Sequence, residues 1–84
     1  MKNKINVDVL VPAINETFSL FLPINKKVGE IINLLNQAIN ELTEGAFPIS
    51  DNLSLVDLYS GDVYDVNVIV KNNDILDGSK LVLL

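Results

Sequence analysis

The side chains best suited to chemistry in this sequence are its eleven carboxylates. Two pairs are closely spaced, Asp62 with Asp65 and Asp74 with Asp77. A working acid–base pair needs two carboxyls held together with their pKa values driven apart. Both pairs lie instead in turn-like stretches, where aspartate commonly bonds nearby backbone. A calcium loop needs acids at alternate positions ahead of a glycine, and "NNDILDG" breaks that spacing with Ile75 and Leu76. Cysteine and histidine are absent. That removes the thiolate, the usual base near neutral pH and the commonest metal ligands. Gly61 and Gly78 stand alone, without the glycine run of a phosphate cradle. The expectation is a chain with no catalytic residue, no cofactor and no metal site, and hence not an enzyme.

The elements that could position a site are few. Eighty-four residues make one domain, 1–84. An apolar fraction of 49% suffices for one core, and 20% charged residues argue against disorder. Six lysines against eleven acids, with no arginine, give a net charge of −5, which would be repelled by phosphate backbones. Nucleic acid is not the expected partner. No apolar run approaches the roughly 18–20 residues of a membrane span. The start "MKNKINVDVL" lacks the apolar region and cleavage site of a leader and reads as mature protein. The acceptor patterns at Asn15 and Asn52 therefore carry no weight. The expected location is the cytoplasm.

Ile5, Val7, Val9 and Val11 alternate with Lys4, Asn6, Asp8 and Leu10, as in a half-buried strand. "PAINE" (12–16) breaks the pattern. Phe18, Leu20 and Leu22 resume it, so the two runs predict a hairpin closed by Pro23. The period then changes. Val28, Ile31, Ile32, Leu35, Ile39 and Leu42 fall on one helical stripe, predicting a helix over about 25–43 with Asn25 as N-cap and a left-handed Gly45 past its end. Lys26 and Lys27 at its start and Glu41 and Glu44 at its end oppose the helix dipole. A loop (45–52) leads to a third strand, 53–60, with Val56 and Leu58 expected inward. Segment 63–74 is irregular and predicts a short edge strand followed by a turn or a single helical turn. Asp77-Gly78 marks a turn, and "KLVLL" is the last strand, with Leu81 and Leu83 in, Val82 and Leu84 out.

One helix across one face of a mixed sheet is an α+β pattern. The first and last strands can pair in parallel because the helix belongs to the crossover between them. The predicted architecture is a β-grasp with a four- to five-stranded sheet in the order 2-1-5-3. On the series Ile5, Val7, Val9, Phe18, Leu20, Leu22, Val28, Ile31 and Leu35, with Val70, Ile75, Leu81 and Leu83 closing it, the chain resembles the ubiquitin-like family over essentially its whole length. Conjugated members and the related sulfur carriers end in a flexible Gly-Gly tail, because only glycine threads the narrow channel where the terminal carboxylate is activated. This sequence stops at Leu84 with no glycine after Gly78. It therefore reads as a non-conjugating protein, the alternatives being a sulfur carrier or modifier cut short of its tail, or a generic β-grasp scaffold.

In length and in the closing run Gly78, Ser79, Lys80, Leu81, Val82, Leu83, the chain is similar to the bacterial YukD/EsaB group, encoded with type VII (WXG-type) secretion systems. That resemblance implies a cytoplasmic accessory, held peripherally at the inner face of the membrane through contacts with secretion components. Partner binding is expected on the sheet face away from the helix, through Leu10, Leu55, Tyr59, Val82 and Leu84. Lys26 and Lys27 form a secondary candidate that an acidic surface would favour. Ubiquitin-like proteins commonly bind through this sheet face, which would equally serve a homodimer.

Overall fold

The computed structural model describes residues 3–84. Met1 and Lys2, which open the start read above as mature, lie outside the described residues. The elements are β1 (Lys4–Val11), a 3₁₀ turn (Pro12–Ile14), β2 (Glu16–Pro23), α1 (Val28–Leu42), β3 (Leu55–Asp57), a second 3₁₀ turn (Val70–Asn72) and β4 (Lys80–Leu83). The four strands form one mixed sheet in the order β2-β1-β4-β3. β1 runs antiparallel to β2 and parallel to β4, and β3 runs antiparallel to β4. This is the ubiquitin-like β-grasp, with the helix in the crossover that lets the first and last strands lie side by side.

The expected order holds once the additional strand is removed. Segment 63–74 supplies no strand, only isolated bridges of Val63 to Val56 and Ile69 to Lys27, followed by the 3₁₀ turn. Its backbone groups bond elsewhere. Val66 and Val68 carbonyls accept the N–H groups of Gly29 and Val28, each at 3.0 Å, and Val70 donates to the Lys26 carbonyl at 2.9 Å. Those bonds also relocate the start of the helix. Lys27, not Asn25, takes the N-cap position, with no side-chain cap. Donors that a capping side chain would satisfy are satisfied by the crossing segment instead. At the other end Glu44 and Gly45 both take positive φ, and Gly45 donates to the Asn40 carbonyl at 2.8 Å, closing the helix as its sequence predicts.

The core lies between sheet and helix. Val7, Val9, Val11 and Leu22 meet Val28, Ile31, Leu35 and Ile39, and Leu55, Val70, Ile75, Leu81 and Leu83 complete the cluster. Each such side chain contributes about 1.5–3 kcal/mol through burial. Leu42, expected on this stripe, is exposed because the helix ends there and the chain turns away. Asn36 is the buried polar member. Its amide donates to the Pro48 carbonyl at 3.0 Å and its Oδ1 accepts the Ser50 N–H at 2.8 Å, while Asn40 holds the Phe47 carbonyl at 3.0 Å. Phe47 is thereby seated in the core.

Candidate functional site

Sheet register fixes what the outer face presents. Leu10 on β1 pairs with Val82 on β4, and Val82 pairs with Val56 on β3. Thr17 extends this row on one side and Val63 on the other. The result is an apolar strip running across the sheet, one side chain per strand, because side chains on neighbouring strands stack in register. Beside it runs a polar row. Asp8 pairs with Ser19 and with Lys80, and the Lys80 ammonium donates to the Asp8 carboxylate across β1 and β4. Asn6 and Phe21 follow on the next row, and Ser19 Oγ donates to Asn6 Oδ1 at 3.1 Å.

Three of the five expected face residues are placed there directly by their strands or strand ends. Leu10 and Val82 are neighbours, and Leu84 continues the outward parity of β4, bonded through its backbone to Ser54 at 2.7 and 2.9 Å. Tyr59 is 81% exposed in the turn that follows β3. Leu55 does not belong to this face. It is fully buried in the core, opposite Leu83, and Val56, expected inward, takes the outer position expected of Leu55. Leu58, expected inward, is exposed. A one-residue change of phase moves every side chain of a strand to the other face, and "LSLVDL" carries apolar residues on both parities. Pairing with Val82 selects the phase.

Lys26 and Lys27 lie away from the strip. They precede a helix that packs on the opposite face of the sheet, and Lys26 forms an ion pair with Glu30 at 3.8 Å. Val56, Val63, Lys80 and Asp8 are the members of the surface that sequence reasoning did not single out. The phase of the third strand hid the valines. The Asp8–Lys80 pair was within reach, because both residues have outward parity on strands expected to be adjacent.

The outer strip is also less bare than its composition suggests. Val56 and Val82 are each only 8% exposed, screened by their row neighbours, so the exposed apolar groups lie toward the rim at Phe21, Tyr59, Val63 and Leu84. Charge is fixed at the centre. Its hydrogen bond to Lys80 holds the Asp8 carboxyl below its ordinary pKa, and the same bond holds the Lys80 ammonium above its own.

Of the aspartate pairs expected in turns, Asp65 serves one, whereas Asp77 reaches across to the first strand. Asp65 accepts the Asn67 N–H at 2.9 Å, and Asp77 accepts the Asn6 N–H at 2.7 Å. Asp57 accepts N–H groups of Tyr59 and Ser60 at 2.8 and 2.9 Å, bonds that lower its pKa, and its other oxygen accepts the Tyr64 hydroxyl at 3.1 Å. Burial, reinforced by Asp57, pushes the Tyr64 phenol up to about 12. Among the described residues, no group of acids is arranged to hold a metal ion, and no helix is long and apolar enough to cross a membrane.

No protein-family model and no curated protein matches the sequence. Solved structures match its fold. The EccD5 ubiquitin-like domain from Mycobacterium xenopi superposes with a TM-score of 0.78 at 18% identity, covering 96% of this chain and 92% of that one. The ubiquitin-like domain of the Mycobacterium tuberculosis type VII secretion system protein ECCD1 gives 0.75 at 17% identity, over 96% and 97% of the two chains. A chain of the MycP5-free ESX-5 inner membrane complex gives 0.72 at 17% identity, with 98% of this chain matching 21% of that one.

Proposed function

We propose that this chain is a protein–protein interaction module that acts by non-covalent docking of its outer sheet face, as a cytoplasmic accessory of a bacterial type VII secretion system akin to the YukD/EsaB group. It performs no catalysis and needs no cofactor; its partner is a cytoplasmic domain of a membrane-anchored secretion component. The observation that carries the docking reading is the outer sheet face itself, where the Leu10–Val82–Val56 row and the Asp8–Lys80 ion pair lie between the exposed apolar groups Phe21, Tyr59, Val63 and Leu84. Exposed apolar groups set around a fixed polar pair give a partner both contact area and a defined orientation. Likeness to ubiquitin-like domains named for EccD proteins supports the secretion setting.

The test is capture of detergent-solubilised membrane proteins of the source organism on the immobilised domain, followed by mass spectrometry. A secretion component should be recovered. A Leu10→Asp variant, shown folded by its circular dichroism, should retain about a tenth or less of that binding, the loss expected for an interface anchor. Undiminished capture by this variant rejects the face. Capture of an adenylating enzyme in place of a secretion component returns the chain to the carrier reading.

A further inference from the structure

Asp77 is the one aspartate in the chain that precedes a glycine, and no asparagine does. The pair carries latent chemistry. Glycine has no side chain to keep its nitrogen away from the carboxyl before it, whereas the other aspartates precede Val9, Asn52, Leu58, Val63, Val66 and Ile75. In the reaction the Gly78 nitrogen attacks Asp77 Cγ. A C–N bond forms, and the amide proton and carboxyl hydroxyl leave together as water, closing a five-membered imide. Water then cleaves the bond from that nitrogen to the Asp77 main-chain carbonyl carbon. Gly78 is left joined through Cγ, with the former main-chain carbonyl as the free carboxylate: an isoaspartate of unchanged mass. Water is the sole co-reactant, and Asp77 and Gly78 are both exposed to it.

Geometry holds the reaction back. Ser79 N–H donates to the Leu76 carbonyl at 3.0 Å and Gly78 has a φ of 89°, the marks of a type II turn over 76–79. Such a turn gives its second residue a ψ of about +120°. Closing the imide requires the nitrogen to eclipse the Asp77 Cβ, which in an L-residue takes ψ of the opposite sign. Ser79 Oγ braces the turn by accepting the Leu76 N–H at 2.9 Å. Asn6 on β1 holds both reactants apart: its N–H donates to Asp77 Oδ1 at 2.7 Å, and its carbonyl accepts the Gly78 N–H at 2.7 Å. Those two bonds last only while β1 lies against β4, where Asp8 pairs with Lys80.

We propose that Asp77–Gly78 is a self-modification site gated by β1: it stays aspartyl while Asn6 holds it and turns to isoaspartate when the β1–β4 junction opens. Each opening releases the turn and both reactants at once, so the product accumulates in proportion to the time the junction spends open. The change is one-way for the sheet. It lengthens the main chain by one methylene at the turn that feeds β4, and it takes into the backbone the carboxyl carbon that Asn6 N–H held. β4 carries Lys80 and Val82 just beyond that turn, so an isomerised chain also loses the register that builds the outer face.

The full chain would be incubated at neutral pH, folded in buffer and unfolded in urea. Isoaspartate is counted by resistance to a protease that cleaves before aspartate, and located by electron-transfer fragmentation. It should form at residue 77 at least about tenfold more slowly in the folded chain, the ratio following the open population. Ser79→Ala, which removes one bond of the turn and no core side chain, should raise the folded rate several-fold while the circular dichroism stays native. Isoaspartyl chain returned to buffer should lose the slow hydrogen exchange of the Asn6 and Gly78 amides. Equal rates in buffer and urea, no isoaspartate even in urea, or an unchanged rate in Ser79→Ala each overturn the proposal. So does isoaspartate gathered at another aspartate, or native amide protection in the isoaspartyl chain.

Discussion

Residues 4–42 and residues 58–79 are built by different rules. The first stretch is a hairpin and a helix whose backbone groups bond within those elements and whose apolar residues follow the periods of strand and helix. The second holds one 3₁₀ turn and, beside its local turn bonds, bonds outward at six residues: Val66 and Val68 to the start of α1, Val70 and Lys71 to the carbonyls of Lys26 and Ile24, and Asp77 and Gly78 to Asn6. Its buried side chains, Val70 and Ile75, are as deep as any in the helix. A segment without regular structure can thus be as fully integrated as one with it. Here the connection caps the helix and clamps β1.

That equivalence can be broken most directly by removing core volume. Ile75→Ala should cost about 2–5 kcal/mol in urea unfolding, as any fully buried isoleucine would, whereas Leu42→Ala at the exposed helix end should stay within about 0.5 kcal/mol. A loss below 1 kcal/mol at Ile75 would mean that the connection is only draped over the core.

Gly29→Ala probes the contact between the two regions. In an open helix this change gains about 1 kcal/mol. Here the new Cβ would lie 3.2 Å from the Val66 carbonyl oxygen, which Gly29 N–H already holds at 3.0 Å. The expected outcome is a net loss of about 1 kcal/mol, with faster amide exchange at Val68 and Val70. A gain would show that the segment yields.

The smallest effects are electrostatic. Asp8 on the sheet face and Asp57 beside the connection both have depressed pKa values. Their contribution is therefore present above the unfolded value, near 3.8, and lost as pH falls through the lower folded values. Thermal midpoints should hold from neutrality to about pH 5 and decline in acid, modestly because both carboxylates are solvent-screened. Asp57→Asn should soften that decline. Tyr64 gives the opposite sign. Its raised pKa favours the neutral phenol, so its contribution is complete below 10.0 and is lost as pH rises toward about 12. An ultraviolet titration in a Tyr59→Phe background isolates it.

The same division governs what the sequence discloses. The alternation of Ile5 to Val11, the return at Phe18 to Leu22 and the stripe from Val28 to Ile39 each have a period, and a period assigns a face without reference to the rest of the chain. In the later part, Val70, Ile75, Leu81 and Leu83 are recognisable through resemblance to a family core. The path between them has no period to read. The third strand is three residues long with apolar groups on both parities, so only its neighbour β4 decides that Leu55 is core and Val56 surface. Asn36 looks like an ordinary helix asparagine until the loop it holds is in place. The outer site was half legible for this reason: Leu10 and Val82 sit on strands with a clear phase, and Val56 does not.

The parallel pairing of β1 with β4 sets a condition on synthesis. Val9 and Leu81 lie opposite each other at the centre of the sheet, 72 positions apart in the chain. A ribosome releases the hairpin and helix long before their central partner exists. Until β4 emerges, the inner face of β1 has its helix but β1 itself has an open flank, with the unpaired backbone that invites wrong strands. The nascent chain must wait for its last strand before the sheet can close, and a fold so dominated by its ends will be slower to form than its size implies.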